Sequence, residues 1–460
     1  MTSDPLDHSP APEPPAAQAT APAAIPHSPS APVPPQPERT AVSAAAAPAR
    51  EVWWRRVWVE PQGPSELLHD AAGPLRWPLL NVVMWPLALM LVFHRVIVLA
   101  VNGSITDDFS TVYFALRRMW EGTDVYAENY SFVDPHYLYN PGATLLLSPM
   151  AAFGHFDLAR FLFIAVNAGA IILALAVLTR MVGYSLRDGV WPTSIVFAFL
   201  TEAVRNTLVF SNINGLLLLA LCVVLWGLHH RHRFLAGVVL GLAIVVKPLF
   251  APLLFLPFAL GMLDAVAVAI AVPVVLNAIA WFVVPGSGDY VRVVMPYLKQ
   301  VRDYANSSLP GIGAYFNAPD GFATVWFLVM AALIVIGVVA LLRLRLSAPV
   351  TWLNSTTALL LTGVFFLSSL GQMYYSMLLF PALFTVLLRR SVMHNPLAWL
   401  AAYGFLSPDD FNSERWVEAG RYASMLKPTV GWALFIVAIV GTAVGWWLSP
   451  AGRRRAVPEN

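Results

Sequence analysis

Leu79-Leu-Asn-Val-Val-Met-Trp-Pro-Leu-Ala-Leu-Met-Leu-Val-Phe-His-Arg-Val-Ile-Val-Leu-Ala-Val101 is apolar apart from Asn81, His94 and Arg95. A helix needs about twenty apolar residues to cross the hydrocarbon core of a bilayer, so this stretch predicts a span. It runs straight into Asn102-Gly-Ser-Ile-Thr-Asp107-Asp108-Phe109. Working outward, apolar runs recur at 160–180, 190–209, 213–228, 234–248, 249–263, 266–284, 322–342, 352–371, 374–388 and 429–448, with short ones at 142–153 and 396–406. The fold class expected is an all-α polytopic membrane bundle of about 12 transmembrane helices, with juxtamembrane helices on the outer face. The 142–153 run is too short to cross and is expected as a half-helix or a helix beside the bilayer.

Composition points the same way. The 460 residues are 58% hydrophobic and 12% charged, against roughly a quarter charged in soluble domains. A net charge of +2 and the lack of a basic, aromatic-interleaved stripe exclude a nucleic-acid partner. Cys222 is the only cysteine, so neither an intrachain disulfide nor a cysteine-rich metal site is available. Residues 1–50, rich in Pro, Ala and Ser, are expected to stay disordered because they bury too little apolar area to offset the entropy of ordering. A basic and aromatic lead-in follows at 51–78, then the membrane domain at 79–448 and a tail at 449–460.

Arginines set the expected orientation. With 142–153 held to one side, Arg55-Arg56, Arg180 with Arg187, the His229–Arg233 cluster, Arg343 with Arg345, Arg389-Arg390 and Arg453–Arg455 share the cytoplasmic face with both termini. Arg117, Arg118, Arg415, Arg421 and Lys427 go against the bias. The histidine cluster reads as a solvated basic loop. Three large loops, 102–141, 285–321 and 407–428, then face outward.

The first of these loops holds Asp107 and Asp108, costly at a membrane boundary unless solvated or used. Phe109, Val112, Tyr113, Leu116, Met119 and Trp120 follow at helical spacing. They predict an amphipathic interfacial helix with Arg117, Arg118 and Glu121 on its polar side, for which Thr106 or Asp107 also serves as an ordinary cap. Other polar groups near the same face are Arg95 within the first span, Glu202, Arg205, Asn206, Asn212 and Asn214 at one turn, and Lys247-Pro248 at a span end. A buried lysine keeps its charge only with a partner; Glu202, lipid headgroups or a bound phosphate each qualify. Tyr130–Pro141 sets aromatics and His136 around two prolines, suited to a sugar or isoprenoid and equally to an interfacial belt. Arg302-Asp-Tyr-Ala-Asn306-Ser307-Ser308 and Gln372-Met-Tyr374-Tyr375-Ser376 either line a cavity mouth or are wet loop. No Ser-His-Asp order, phosphate-binding glycine loop or metal-ligand spacing stands out.

Taken together, Asn102-Gly-Ser-Ile-Thr-Asp-Asp-Phe, Asp134-Pro-His136-Tyr137-Leu-Tyr139-Asn-Pro-Gly-Ala-Thr-Leu-Leu, Asn206-Thr-Leu-Val-Phe-Ser-Asn212-Ile-Asn214-Gly, Lys247-Pro-Leu, Arg302–Ser308 and Gln372–Met377 closely resemble the α-(1→3)-arabinofuranosyltransferase family of mycobacterial and corynebacterial cell walls. That family belongs to the GT-C class of polyprenyl-phosphate-dependent transferases. The resemblance covers roughly 80–448 and departs at Asn140, where a second proline is expected; the loop there is expected to be looser. It implies a decaprenyl-phosphoryl-arabinose donor, an arabinan acceptor of arabinogalactan or lipoarabinomannan, inversion at the anomeric carbon, and a base in the first outer loop: Asp107, with Asp108 second. Lys247 and Arg95, with Arg205 and Arg302 in reserve, would receive the phosphate, while His136, Tyr137, Tyr139, Asn212, Asn214, Asn306, Ser307, Gln372, Tyr374 and Tyr375 complete the expected site. No cofactor or metal ligand is indicated. A mannosyltransferase using a polyprenyl-phosphate sugar, a transporter or flippase, and a non-catalytic scaffold are the competing readings.

Overall fold

A computed structural model describes residues 65–68, 78–103, 107–131, 136–152, 154–408, 411 and 413–449. Among them the chain is helical, and the β pairing is limited to an isolated antiparallel bridge between Leu67 and Leu388. Among the described residues six helices are long and apolar enough to cross a membrane: Pro78–Val101, Phe156–Met181, Leu263–Val283, Gly321–Arg345, Pro349–Leu367 and Val417–Leu448. Shorter apolar helical segments lie between them, among them Val190–Leu200, Asn214–His229, Arg233–Val246 and Pro396–Leu406. The tail 1–50, most of the lead-in 51–78, the cluster Arg453–Arg455, Thr106 and Asp134 lie outside the described residues, as does the side chain of Asp107.

The elements are named α1 (Pro78–Phe93, continued as a π-helix His94–Val101), α2 (Asp107–Trp120), α3 (Pro141–Leu147), α4 (Phe156–Met181), α5 (Val190–Leu200), α6 (Glu202–Val209), α7 (Asn214–His229) and α8 (Arg233–Val246). After them come α9 (Leu263–Val283), α10 (Leu309–Tyr315), α11 (Asp320–Leu341), α12 (Pro349–Leu367), α13 (Pro396–Leu406) and α14 (Val417–Leu448). Helix α4 packs on α7, α7 and α9 both pack on α8, α13 and α11 pack on α14, and α1 packs on α5. Helix α12 is the most enclosed, with Trp352, Leu359, Leu361 and Phe365 buried, while α9 turns Val274, Ile279 and Phe282 outward. An outward apolar face suits a bundle whose solvent is lipid.

Several expectations change at this level. The run 190–209 is not one helix: Thr201 adopts extended backbone, its hydroxyl accepts from Val204 N, and it caps α6 after α5 has ended. A threonine cap satisfies an orphan N–H that an unbroken apolar helix would not have exposed. The run 249–263 breaks into a 3₁₀ turn, Pro248–Leu254, and a short helix, Phe255–Ala259, because proline lacks the N–H that the helix ladder needs. The supposed loop 407–428 is helix from Val417 onward, continuous with the last span through Pro428. Arg118 is partly buried and turned back onto its own loop, donating to Val125 O (2.7 Å) and to the Glu128 carboxylate (2.7 Å). Trp120 is 59% exposed, and its Nε1 donates to Ser148 O at 2.9 Å.

The expectation that Asn140 loosens its loop is also corrected. Asn140 is buried, its Oδ1 accepts from Ala143 N to cap α3, and its Nδ2 donates to Val245 O at 2.6 Å. The side chain thus ties the first loop to the last turn of α8. The short helix α3 lies against α9, where Gly142 N donates to Asn277 Oδ1 (3.0 Å), and a Cβ at Gly142 would stand 2.9 Å from the Asn277 side chain.

At the other end of the bundle, Glu66 acts as a clasp. Its two carboxylate oxygens accept from Val350 N (2.8 Å) and Thr351 N (3.0 Å), the first turn of α12, and its carbonyl accepts from Arg389 N. Negative charge at a helix N-terminus is favourable. Burial nevertheless pushes the Glu66 carboxyl above its usual range, against the lowering effect of those backbone bonds.

Candidate active site

The three loops expected on one face do converge. A cavity of about 910 Å³ is lined by Asp108, His136, Tyr139 and Asn140 from the first loop, by Tyr290, Arg302, Tyr304, Asn306 and Ser307 from the second, and by Ser424, Met425 and Pro428 from the third. The turn between α6 and α7 contributes Asn206, Phe210 and Asn212, the end of α8 contributes Lys247, and the segment after α12 contributes Gln372, Tyr374 and Tyr375. Apart from the α14 residues, which lie within a continuous helix, most of these residues sit at or near helix ends or breaks, where backbone stops satisfying itself and polar side chains are needed.

Lys247 follows the last residue of α8, because the proline at 248 cannot continue that helix. Its Nζ donates to Asn214 Oδ1 at 2.8 Å and lies 4.5 Å from the Tyr375 ring centre and 5.9 Å from that of Tyr374. Two aromatic faces and one amide oxygen hold an ammonium without neutralising it. Glu202, one of the partners expected for this lysine, is bonded by Arg205 instead.

Asn214 opens α7, and its backbone N–H donates to Asn212 Oδ1 (3.2 Å). Both Asn212 Nδ2 and Asn214 Nδ2 are buried with no acceptor among the described residues. Buried amide donors without acceptors are costly, and here they adjoin a helix N-terminus and an ammonium. The lysine, the helix dipole and these two side-chain amides give the place a positive potential, while the backbone N–H groups of Asn214 and Leu216 are already taken by Asn212 Oδ1 and Asn167 Oδ1.

Asp108 sits in the first turn of α2 and lines the same cavity. Its charge acts on Lys247, Tyr139, Tyr374 and Tyr375. Burial first, and then this carboxylate, push the Tyr139 hydroxyl above its usual range, so it stays protonated at neutral pH. The cavity therefore holds a carboxylate, an ammonium and hydroxyl-bearing aromatic faces together.

The other expected residues divide. Arg302 lines the cavity, its guanidinium 5.6 Å from the Tyr304 ring. His136 lines it too, 3.6 Å from Glu128 and against the Tyr130 and Tyr297 rings. Asn306 is a knot: its Nδ2 donates to Ser369 O and Arg302 O, and its Oδ1 accepts from Gly371 N and Ser308 N. Ser307 N donates to Gly371 O, so the second loop and Gly371-Gln372 form one wall. Tyr137 does not face the cavity; it is fully buried with its hydroxyl on Thr144 Oγ1 (2.8 Å). Arg95 and Arg205 do not line it either. Arg95 Nε donates to Phe199 O (3.0 Å) and Arg205 bonds Glu202.

Tyr304 lines the cavity with the rest of the Arg302–Ser308 run, whereas Tyr290, Phe210, Ser424 and Pro428 are not among the residues the sequence singles out. Ser424 and Pro428 are one helical turn apart, a spacing that marks a shared face once 417–428 is read as helix. Among the described residues no group of three or more His, Cys, Asp or Glu side chains gathers to hold a metal ion.

Membrane-length helices thus surround a cavity that holds a carboxylate and a lysine beside the N-terminus of α7. The chain belongs to glycosyltransferase family 87, whose pattern matches residues 137–369. It is 55% identical over 386 residues to the α-(1→3)-arabinofuranosyltransferase of Corynebacterium glutamicum, covering 84% of this chain and 92% of that one. It is 41% identical to the enzymes of the same name from Mycolicibacterium smegmatis (80% of this chain, 86% of that one) and Mycobacterium tuberculosis (79% and 85%).

Proposed function

We propose that this chain transfers arabinofuranose from decaprenyl-phosphoryl-arabinose to an arabinan acceptor of arabinogalactan or lipoarabinomannan, forming α-(1→3) branches with inversion. The observation that carries the reading is that Asp108 and Lys247 line one cavity, beside the unfilled amide donors of Asn212 and Asn214. The relatives' shared name supports the sugar and the linkage.

In this mechanism the acceptor hydroxyl oxygen attacks the anomeric carbon as the bond from that carbon to the phosphate oxygen breaks. The hydroxyl proton passes to Asp108, and polyprenyl phosphate departs. General-base help of this kind is worth about 10²–10⁴ in rate. Lys247 Nζ, Asn212 Nδ2 and the N-terminus of α7 take up the phosphate charge, a fixed electrostatic arrangement that needs no reorganisation during the step. Tyr139, Tyr374 and Tyr375 orient the sugar, and Arg302 and His136 stand along the remaining wall.

The membrane domain 79–448 is read as about 12 spans and half-spans in the plasma membrane. The cavity faces outward, α2 lies in the outer interface, and both termini are cytoplasmic. Lipid attachment of the donor explains why the site belongs at a bilayer surface.

The test is reconstitution: purified protein, decaprenyl-phosphoryl-arabinose and a synthetic arabinan, with linkage analysis of the product. New 3-linked branches are expected. No turnover with this donor, or turnover with a mannose-bearing lipid instead, would overturn the reading.

A further inference from the structure

Between Phe161 and Leu178, helix α4 carries a single polar side chain, Asn167. It is buried and stands behind the active-site cavity rather than in its wall. An amide inside an apolar span is costly unless both of its ends are bonded. Asn167 meets that demand. Its Nδ2 donates to Phe163 O one turn back (3.0 Å), and its Oδ1 accepts from Leu216 N at 3.2 Å. The first bond stays within α4 and fixes the plane of the amide. The second crosses to the first turn of α7.

That second bond replaces an ordinary cap. Ile213, which precedes α7, has no side-chain oxygen and makes no cap bond. Asn212 Oδ1 takes Asn214 N and Asn167 Oδ1 takes Leu216 N, so α7 is capped partly from another helix. The approach is close, because a Cβ at Gly215 would stand 2.6 Å from Asn167 O and 2.8 Å from its Oδ1. Within the same turn is Asn214, whose Oδ1 accepts from Lys247 Nζ at 2.8 Å. The contacts thus run from α4 through the first turn of α7 to the ammonium in the cavity.

The three amides differ in how they are used. Asn167 spends both its donor and its acceptor inside the protein. Asn212 and Asn214 use their oxygens, and their buried Nδ2 groups have no acceptor among the described residues. Donors aimed at a developing charge are effective when they are held in place beforehand. We propose that Asn167 is a positioning residue for phosphate binding: from α4 it pins the first turn of α7, and with it Asn214 and Lys247, in the arrangement that receives the donor's phosphate. This rests on the phosphate role given to Lys247 under the proposed function.

The test compares the affinity of the full-length protein in detergent for decaprenyl phosphate with that for decaprenol, which has the same tail and no charge. Lys247→Met should lower the ratio of the two affinities by about tenfold or more, as for a hydrogen bond to a charged group. Asn167→Leu, similar in volume but unable to hydrogen-bond, should lower it by about two- to tenfold, the factor that one net hydrogen bond is worth. Gly215→Ala, which pushes α7 off α4, should act in the same direction. In the Lys247→Met background Asn167→Leu should have a smaller effect than in the wild type, because the two residues are coupled. An unchanged ratio in Asn167→Leu beside a lowered one in Lys247→Met would overturn the proposal, reduce Asn167 to a packing role and leave the phosphate site standing. An unchanged ratio in Lys247→Met would remove the phosphate site and this proposal with it. Should Asn167→Leu fail to fold, the Gly215→Ala comparison decides.

Discussion

Two carboxylate–cation pairs lie near the same helix breaks, and they differ in every respect that matters for chemistry. Glu202 and Arg205 are three residues apart on α6, in direct contact, with the carboxylate buried. Asp108 and Lys247 come from distant parts of the chain, α2 and the end of α8, and line one cavity with Tyr139, Tyr374 and Tyr375. The first pair lies off the cavity and meets it through Asn206, whose Oδ1 accepts from Arg205 Nη1 at 3.3 Å. The second keeps a base and a cation beside space for a substrate. A charged group near a membrane surface is thus not a site on that account; the groups that share its cavity decide.

Breaking each pair should separate them sharply. Asp108→Asn is expected to cost about 10²–10⁴ in turnover, the usual worth of a positioned base, with donor binding retained. Lys247→Met should cost about 10²–10³ in kcat, as for loss of one fixed donor to developing charge, and should weaken donor binding as well, which a titration with lipid-linked sugar would read. Arg205→Gln should change turnover by no more than a few-fold, because its guanidinium lies off the active-site cavity. A loss of turnover matching that of Lys247→Met would erase the distinction between the pairs. Asn140→Ala should lower stability by about 1–2 kcal/mol through loss of a helix cap and a buried hydrogen bond, visible as a lower Tm with turnover largely kept.

The distinction was only half legible in the sequence. Hydropathy marks the spans, and proline marks the stop at Lys247, because both act within a few residues. The short Pro396–Leu406 helix has the bounds its apolar run predicts. The break at Thr201 was hidden because the flanking residues are apolar and a capping threonine looks like any other. Local spacing makes Glu202 and Arg205 recognisable as a pair, yet nothing local distinguishes Arg205 from Lys247 as a phosphate ligand. Arg95 was misjudged for the same reason: its partner, the Phe199 carbonyl, is set by packing of α1 on α5. The clasp of Glu66 on Val350 and Thr351 joins residues far apart in the chain, which no periodicity reveals. The motif around Asp108, by contrast, carried the family before any geometry did.

The central claim is that Asp108 takes the proton while Lys247 and the α7 terminus hold the phosphate. It is tested most directly by loading purified Asp108→Asn, and separately Asp107→Asn, with decaprenyl-phosphoryl-arabinose and following donor occupancy and arabinose transfer in one experiment. Asp108→Asn should bind the donor as the wild type does and leave it intact, and a loss of transfer in Asp107→Asn alone would move the base to that neighbour. Transfer at the wild-type rate by Asp108→Asn would contradict the account.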